Sequence, residues 1–208
     1  DPASLNWKEL FQNATWFHFT GITPALSEAA ARAVAEGAKA AKAAGLTVSC
    51  YLNFRKKLWL SAKAQEVMAG LMAHVDYCIA NEEDAEKVFG IKASETEITE
   101  GKLAHSRFVD VAEKLTKRFK FKGVAITLRE SFSASRNGWS ALFYVDGQAH
   151  FSRRYEMEIV DRVGAGDSFA AGLIYALLQK QSPQQAVEFA AAASCLKPRG
   201  RFWKPLYP

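Results

Sequence analysis

The stretch "DRVGAGDSFAAGLIYALLQ", Asp161 to Gln179, sets one carboxylate, Asp167, between a glycine turn and an apolar run. Gly164 and Gly166 allow positive φ angles and a close approach of backbone to ligand. A helix that starts here directs its free N–H groups and its positive dipole end at the turn, where an anion gains from both. Phosphoryl transfer needs such stabilisation of spread negative charge, and a carboxylate that takes the proton of an attacking hydroxyl. Asp167 stands where the two requirements meet. A plainer reading has Asp167 or Ser168 capping the helix.

Other chemistries find less support. Cys50, Cys78 and Cys195 are far apart and form no CxxC pair, so they read as reduced, buried thiols of a cytoplasmic protein. His18, His74, His105 and His150 have no metal-ligand spacing. The net charge of +5 suits a site for phosphates or acids. Lys and Arg are scattered, with no basic arm for nucleic acid. No apolar run is long enough to span a membrane. The opening "DPASLNWKEL" is no signal peptide and lacks an initiator Met, as expected of a chain that begins inside a longer protein.

Elements must position these residues. Trp16 to Gly21, Leu46 to Asn53, Val75 to Ala80 and Gly123 to Leu128 read as short buried strands. Helical patterns lie between them: Ser27 to Gly45 with a capping Ser and a terminal Gly, Ser61 to His74, and Phe108 to Phe119. Asn81 is placed to cap a helix with an acidic first turn. This alternation predicts a parallel sheet covered by helices. "WSALFYV-DG-QAHFSRR" breaks it with a hairpin turning at Asp146-Gly147. Helices resume over Asp167 to Lys180 and Pro183 to Leu196. Phe169, Leu173, Ala176 and Leu177 recur at helical spacing and are expected in the core. "ASETEITEG", Ala93 to Gly101, is a polar loop. Ligands of parallel α/β sheets bind beyond the carboxyl ends of strands, so the informative loops are 53–59, 81–84, 129–138 and 162–167.

"D-R-V-G-A-G-D-S-F-A-A-G" resembles the C-terminal signature of the ribokinase-like, phosphofructokinase-B sugar kinases. "LNFRKKLW", "ANEEDAEKVFGI" and "TLRESFSASRNGWSALFY" look most like the 2-keto-3-deoxygluconate kinase branch. The resemblance runs from about Trp16 to Lys197. It implies a three-layer α/β/α sandwich with a mostly parallel central sheet. It also implies ATP-dependent phosphorylation of a primary hydroxyl on a small sugar acid. Asp167 would be the base, and the Gly164, Ala165 and Gly166 amides the anion hole. Asn53 and Arg55 match an Asn-x-Arg loop that reaches substrate and phosphates; Arg55 offers a fork of donors suited to either, or is a surface arginine beside Lys56 and Lys57. Asn81 and Asp84 lie at positions that organise Mg²⁺ and its waters, with Asp84 standing for a longer Glu. Thr127 and Arg129 fall at a nucleotide loop, though "LRES" lacks its glycine. Asp161 and Val163 match a loop that holds a monovalent cation such as K⁺ in many relatives; Asp161 otherwise ends a strand.

Residues 1–197 thus read as the C-terminal catalytic portion of a ribokinase-like domain, and 198–208 as an atypical tail. The family's Gly-Gly substrate signature, opening strands and β lid have no counterpart before Trp16. The isolated chain is therefore expected to turn over poorly. A homodimer is open for the complete enzyme. Three functions stand at this point: a sugar-acid kinase, a kinase of the same family acting on fructose, ribose or a nucleoside, and a noncatalytic nucleotide-binding remnant.

Overall fold

The computed structural model describes residues 4–81, 83–92, 102–133, 135–159 and 163–196. The polar loop 93–101, Asp161 and the tail 198–208 lie outside them. The chain divides into two compact units, Asp1–Val124 and Ala125–Pro208.

The first unit holds α1 (Trp7–Leu10), β1 (Trp16–Thr20), α2 (Ile22–Leu26), α3 (Glu28–Ala43), β2 (Thr47–Tyr51), α4 (Ser61–Met72), β3 (Tyr77–Asn81), α5 (Asp84–Phe89) and α6 (Lys102–Phe119). The expected strands form, and they pair in parallel. Trp16 faces Thr47 in the β1–β2 register and Cys50 faces Cys78 in β2–β3. α3 shows why such a pattern folds locally. The Ser27 hydroxyl accepts the Ala30 amide at 3.1 Å, satisfying one orphan donor of the first turn. At the other end Gly45 adopts φ +80°, and the Leu46 and Gly45 amides return to the Ala41 and Lys42 carbonyls. Between the caps, Val34, Gly37, Ala38 and Ala41 are buried. Val48, Cys50, Met68, Met72, Ile79 and Leu115 make up much of the core. α6 begins at Lys102, well before the expected Phe108. α1 and α2 are too short to carry a helical period, so the sequence does not announce them.

Asp76, 6% exposed, gathers this unit just before β3. Its carboxylate accepts the Lys42 ammonium at 2.8 Å on both oxygens and the Val48 amide at 2.9 Å. Lys122 lies 3.1 Å away. Burial alone would raise the Asp76 pKa, but these donors outweigh it and hold the carboxyl below its ordinary value.

The division between the units falls within β4 (Gly123–Ser131). β5 (Arg136–Val145), β6 (Gln148–Phe151), β7 (Tyr155–Glu158), α7 (Ala165–Leu178) and α8 (Pro183–Leu196) follow. β4 neighbours β5, and β5 pairs antiparallel with β6 along its second half and with β7 along its first. The parallel expectation thus describes the first unit, whereas these described pairs of the second are antiparallel. Asp146 at φ 52° and Gly147 at φ 74° make the expected two-residue hairpin turn, both central residues being left-handed as a primed turn requires. α7 and α8 pack closely because Gly172 has no side chain; a Cβ there would sit 3.0 Å from the Ala190 Cα. Phe169, Leu173 and Ala176 are buried as expected, with Leu177 half-buried. Among the described residues no helix is long and apolar enough to cross a membrane.

Candidate functional site

In the second unit, the glycine turn enters α7 through Gly164, which is left-handed at φ 80° and occupies the N-cap. A residue with a Cβ would be strained there. The helix starts at Ala165, two residues before the expected Asp167, so Ala165, Gly166 and Asp167 form its first turn. Its first backbone bond runs from the Ser168 amide to the Gly164 carbonyl, 2.9 Å. Gly164 has no side chain with which to cap this end, and Asp167 and Ser168 lie inside the helix rather than at its N-cap. Three first-turn amides therefore remain without an acceptor among the described residues. Asp167 is exposed and accepts no hydrogen bond among them.

Two contacts fix the turn. Phe169 and Ala170 are buried on the next residues of α7. The buried Ser194 on α8 donates its hydroxyl to the Ala165 carbonyl at 2.8 Å. Sequence reasoning missed Ser194; its one signal is a hydroxyl in the alanine run "AAAASCL".

Thr127 is buried in β4 and Arg129 is exposed further along it. The expected loop at 129–138 is shorter than that. β4 continues to Ser131 and β5 starts at Arg136, because the intervening chain folds back locally. The Phe132 and Ser133 amides both reach the Arg136 carbonyl, at 3.0 and 3.1 Å. Glu130, Arg154, Glu156 and Arg136 form a chain of ion pairs at 2.7–2.9 Å beside the Phe132 ring.

In the first unit, the ends of β2 and β3 form a second cluster. Asp84, 2% exposed, accepts three backbone amides: Asn53 and Asn81 on Oδ2 and Phe54 on Oδ1, each at 3.1 Å. The Asn81 Oδ1 accepts the Glu83 and Asp84 amides at 2.9 and 3.0 Å. Asn81 therefore caps the chain entering α5 from the end of β3, two residues ahead of Glu83 at the N-cap position itself. Asn53 is 3% exposed and left-handed at φ 43°. Burial pushes the Asp84 carboxyl up to about 6, against the opposing pull of the Asn81, Phe54 and Asn53 amides and of the Arg55 charge. The structure thus brings Asn53, Asn81 and Asp84 together, while the Arg55 side chain is exposed. Gly21, read in the sequence only as the end of a strand, passes so close to Leu52 that a Cβ would strike the Leu52 carbonyl.

The donor set bears on Mg²⁺. Both lone pairs of the Asn81 carbonyl face amides, as do three of the roughly four acceptor positions of a carboxylate at Asp84. These groups fit Mg²⁺ through retained waters better than by direct coordination.

Residues 1–198 match the model of the pfkB family of carbohydrate kinases. The chain is 47% identical to the crystal structure of 2-dehydro-3-deoxygluconokinase from Thermotoga maritima, with a TM-score of 0.89 over 95% of this chain and 58% of that one. It is 28% identical to 2-dehydro-3-deoxygalactonokinase from Haloferax volcanii over 91% of this chain and 53% of the relative. A ribokinase II structure from E. coli, 19% identical, superposes with a TM-score of 0.69 over 97% of this chain and 57% of that one. The fold is ribokinase-like α/β. The chain spans little more than half the length of these proteins.

Proposed function

Because the chain belongs to the pfkB family of carbohydrate kinases, we propose that its protein phosphorylates a primary hydroxyl of 2-keto-3-deoxygluconate or a similar sugar acid. Family membership implies ATP as the donor. One observation carries the reading: a helix that starts behind a left-handed glycine, with an exposed Asp167 in its first turn that is unbonded among the described residues.

In this reading Asp167 accepts the proton of the sugar hydroxyl as its oxygen attacks the terminal phosphorus. The amides that follow Gly164 hold the phosphate oxygens, aided by the positive end of α7. Thr127 and Arg129 contact the nucleotide. Arg55 forks onto the substrate carboxylate or a phosphate. Mg²⁺, when bound, offsets charge on the phosphate oxygens, and Asn81 and Asp84 orient its waters. A K⁺ ion beside Asp161, a homodimer and a cytoplasmic location belong to the same reading. The named activities of the Thermotoga and Haloferax relatives support the sugar-acid class.

A coupled ADP-release screen on the full-length protein tests this. Turnover is expected with 2-keto-3-deoxygluconate or its galactonate epimer ahead of fructose, ribose and adenosine. Preference for a neutral sugar overturns the substrate class. Absence of ADP release with every acceptor overturns the kinase reading.

A further inference from the structure

Gly172 lets the α8 backbone come close to α7: a Cβ on it would lie 3.0 Å from the Ala190 Cα and 3.2 Å from the Ala193 Cβ. One turn beyond Ala190, on the same face of α8, stands Ser194. It is fully buried, and its hydroxyl crosses to the other helix, donating to the Ala165 carbonyl at 2.8 Å. A serine within a helix can instead return its hydroxyl to the carbonyl one turn back. The choice of the Ala165 oxygen has a consequence at the glycine turn. The Ala165 C=O and the Gly166 N–H belong to one planar trans peptide unit and point in opposite directions. A donor that holds the oxygen therefore aims the Gly166 N–H away from Ser194, out of the open end of α7. The same bond draws electron density toward the oxygen and makes that N–H a stronger donor. Gly166 carries one of the three first-turn amides that have no acceptor among the described residues.

We propose that Ser194 is a positioning residue for phosphoryl transfer: through the Ala165–Gly166 peptide, its hydroxyl aims and polarises the Gly166 amide toward the phosphate oxygens. What the amide meets rests on the kinase reading above; the hold on the peptide does not. The charge on those oxygens shifts as the phosphoryl group moves, so the effect falls on kcat rather than on ground-state binding.

Ser194→Ala in the full-length protein removes the hydroxyl and little else. Its kcat with 2-keto-3-deoxygluconate should fall by about tenfold, short of the roughly 10²–10³-fold that follows outright loss of an anion-hole donor. KM for the sugar acid and for ATP should stay within about twofold. Cys195→Ala, at the next buried position of α8, disturbs helix packing and keeps the Ser194 hydroxyl. Its kcat should stay within about twofold of the wild type. An unchanged kcat in Ser194→Ala overturns the proposal, as does a raised KM at unchanged kcat, or an equal loss of kcat in Cys195→Ala. The amide nitrogen resonance of Gly166 supplies an arm independent of turnover, because it senses hydrogen bonding at the carbonyl of its own peptide. It should shift in Ser194→Ala and hold in Cys195→Ala; an unmoved resonance in Ser194→Ala overturns the hold on the peptide. A wild-type protein inactive on every sugar acid defeats the function proposed above, and the Gly166 resonance still decides the hold.

Discussion

Two buried aspartates bracket β3 and meet opposite surroundings. Asp76, before the strand, faces the Lys42 and Lys122 ammonium groups as well as the Val48 amide. Asp84, after it, is engaged among the described residues by backbone amides at hydrogen-bond distance, with Arg55 acting through its field. Both are little exposed, 6% and 2%, yet the carboxyl of Asp76 is held below its ordinary value and that of Asp84 is raised to about 6. Ammonium partners outweigh burial at Asp76, whereas the deeper burial of Asp84 outweighs its amides and the Arg55 field. The amino end of the parallel strands has its charge balanced within the fold. The carboxyl end, where ligands of such sheets bind, keeps a buried carboxylate with no cation at ion-pair distance among the described residues.

A third aspartate extends the contrast, since Asp167 has no partner among the described residues and so has no contact to lose. Asp167→Asn should lower kcat of the full-length protein by about 10²–10⁴-fold, the range for a general base, with an unchanged melting temperature. Steady-state kinetics beside a thermal melt would check both halves. Near-normal turnover would remove Asp167 from the chemistry.

Asp76→Asn should do the reverse. It removes charge-assisted hydrogen bonds, so urea denaturation should show a loss of about 2–3 kcal/mol, with KM little altered. The same residue sets a pH dependence. Its folded pKa lies below the unfolded value of about 3.9, so its contribution is complete above about pH 5 and lost as pH falls through the folded value. The acid limb of a stability profile should therefore be shallower in Asp76→Asn than in the wild type. Equal limbs would mean that Asp76 is not the group responsible.

Gly21→Ala probes the other end of the sheet without touching a charge. The new methyl must displace the Leu52 carbonyl, at a cost of about 1–3 kcal/mol typical of overpacking. The displacement adjoins Asn53, so KM for the sugar acid should rise as well; a stability loss with unchanged KM would uncouple Leu52 from the loop. Smallest is Ser27→Ala, which removes the α3 cap and should cost about 1 kcal/mol in a denaturation experiment while leaving kinetics alone.

The elements whose period or punctuation is local were legible in the sequence. Strands β1 to β3, the capped α3, the Asp146-Gly147 hairpin and α8 form where composition and turn residues place them. That is because helix caps and primed turns are satisfied within a few residues. The GAGD turn was legible for the same reason, since a left-handed glycine ahead of a helix is a local demand. Three things were not. The bond from the Ser194 hydroxyl to the Ala165 carbonyl in the first turn of α7 joins positions 29 residues apart, which no local pattern announces. The antiparallel pairing of β7 with the first half of β5 depends on which strand meets which, and β7 has too few residues to declare a partner. The engagement of Asp84 depends on bringing position 84 against position 53, and no spacing along one chain encodes that contact. Residue types at 53, 55, 81 and 84 marked a site, but only the tertiary structure decided that its carboxylate holds backbone, because a buried carboxylate binds whichever donors the fold brings within reach.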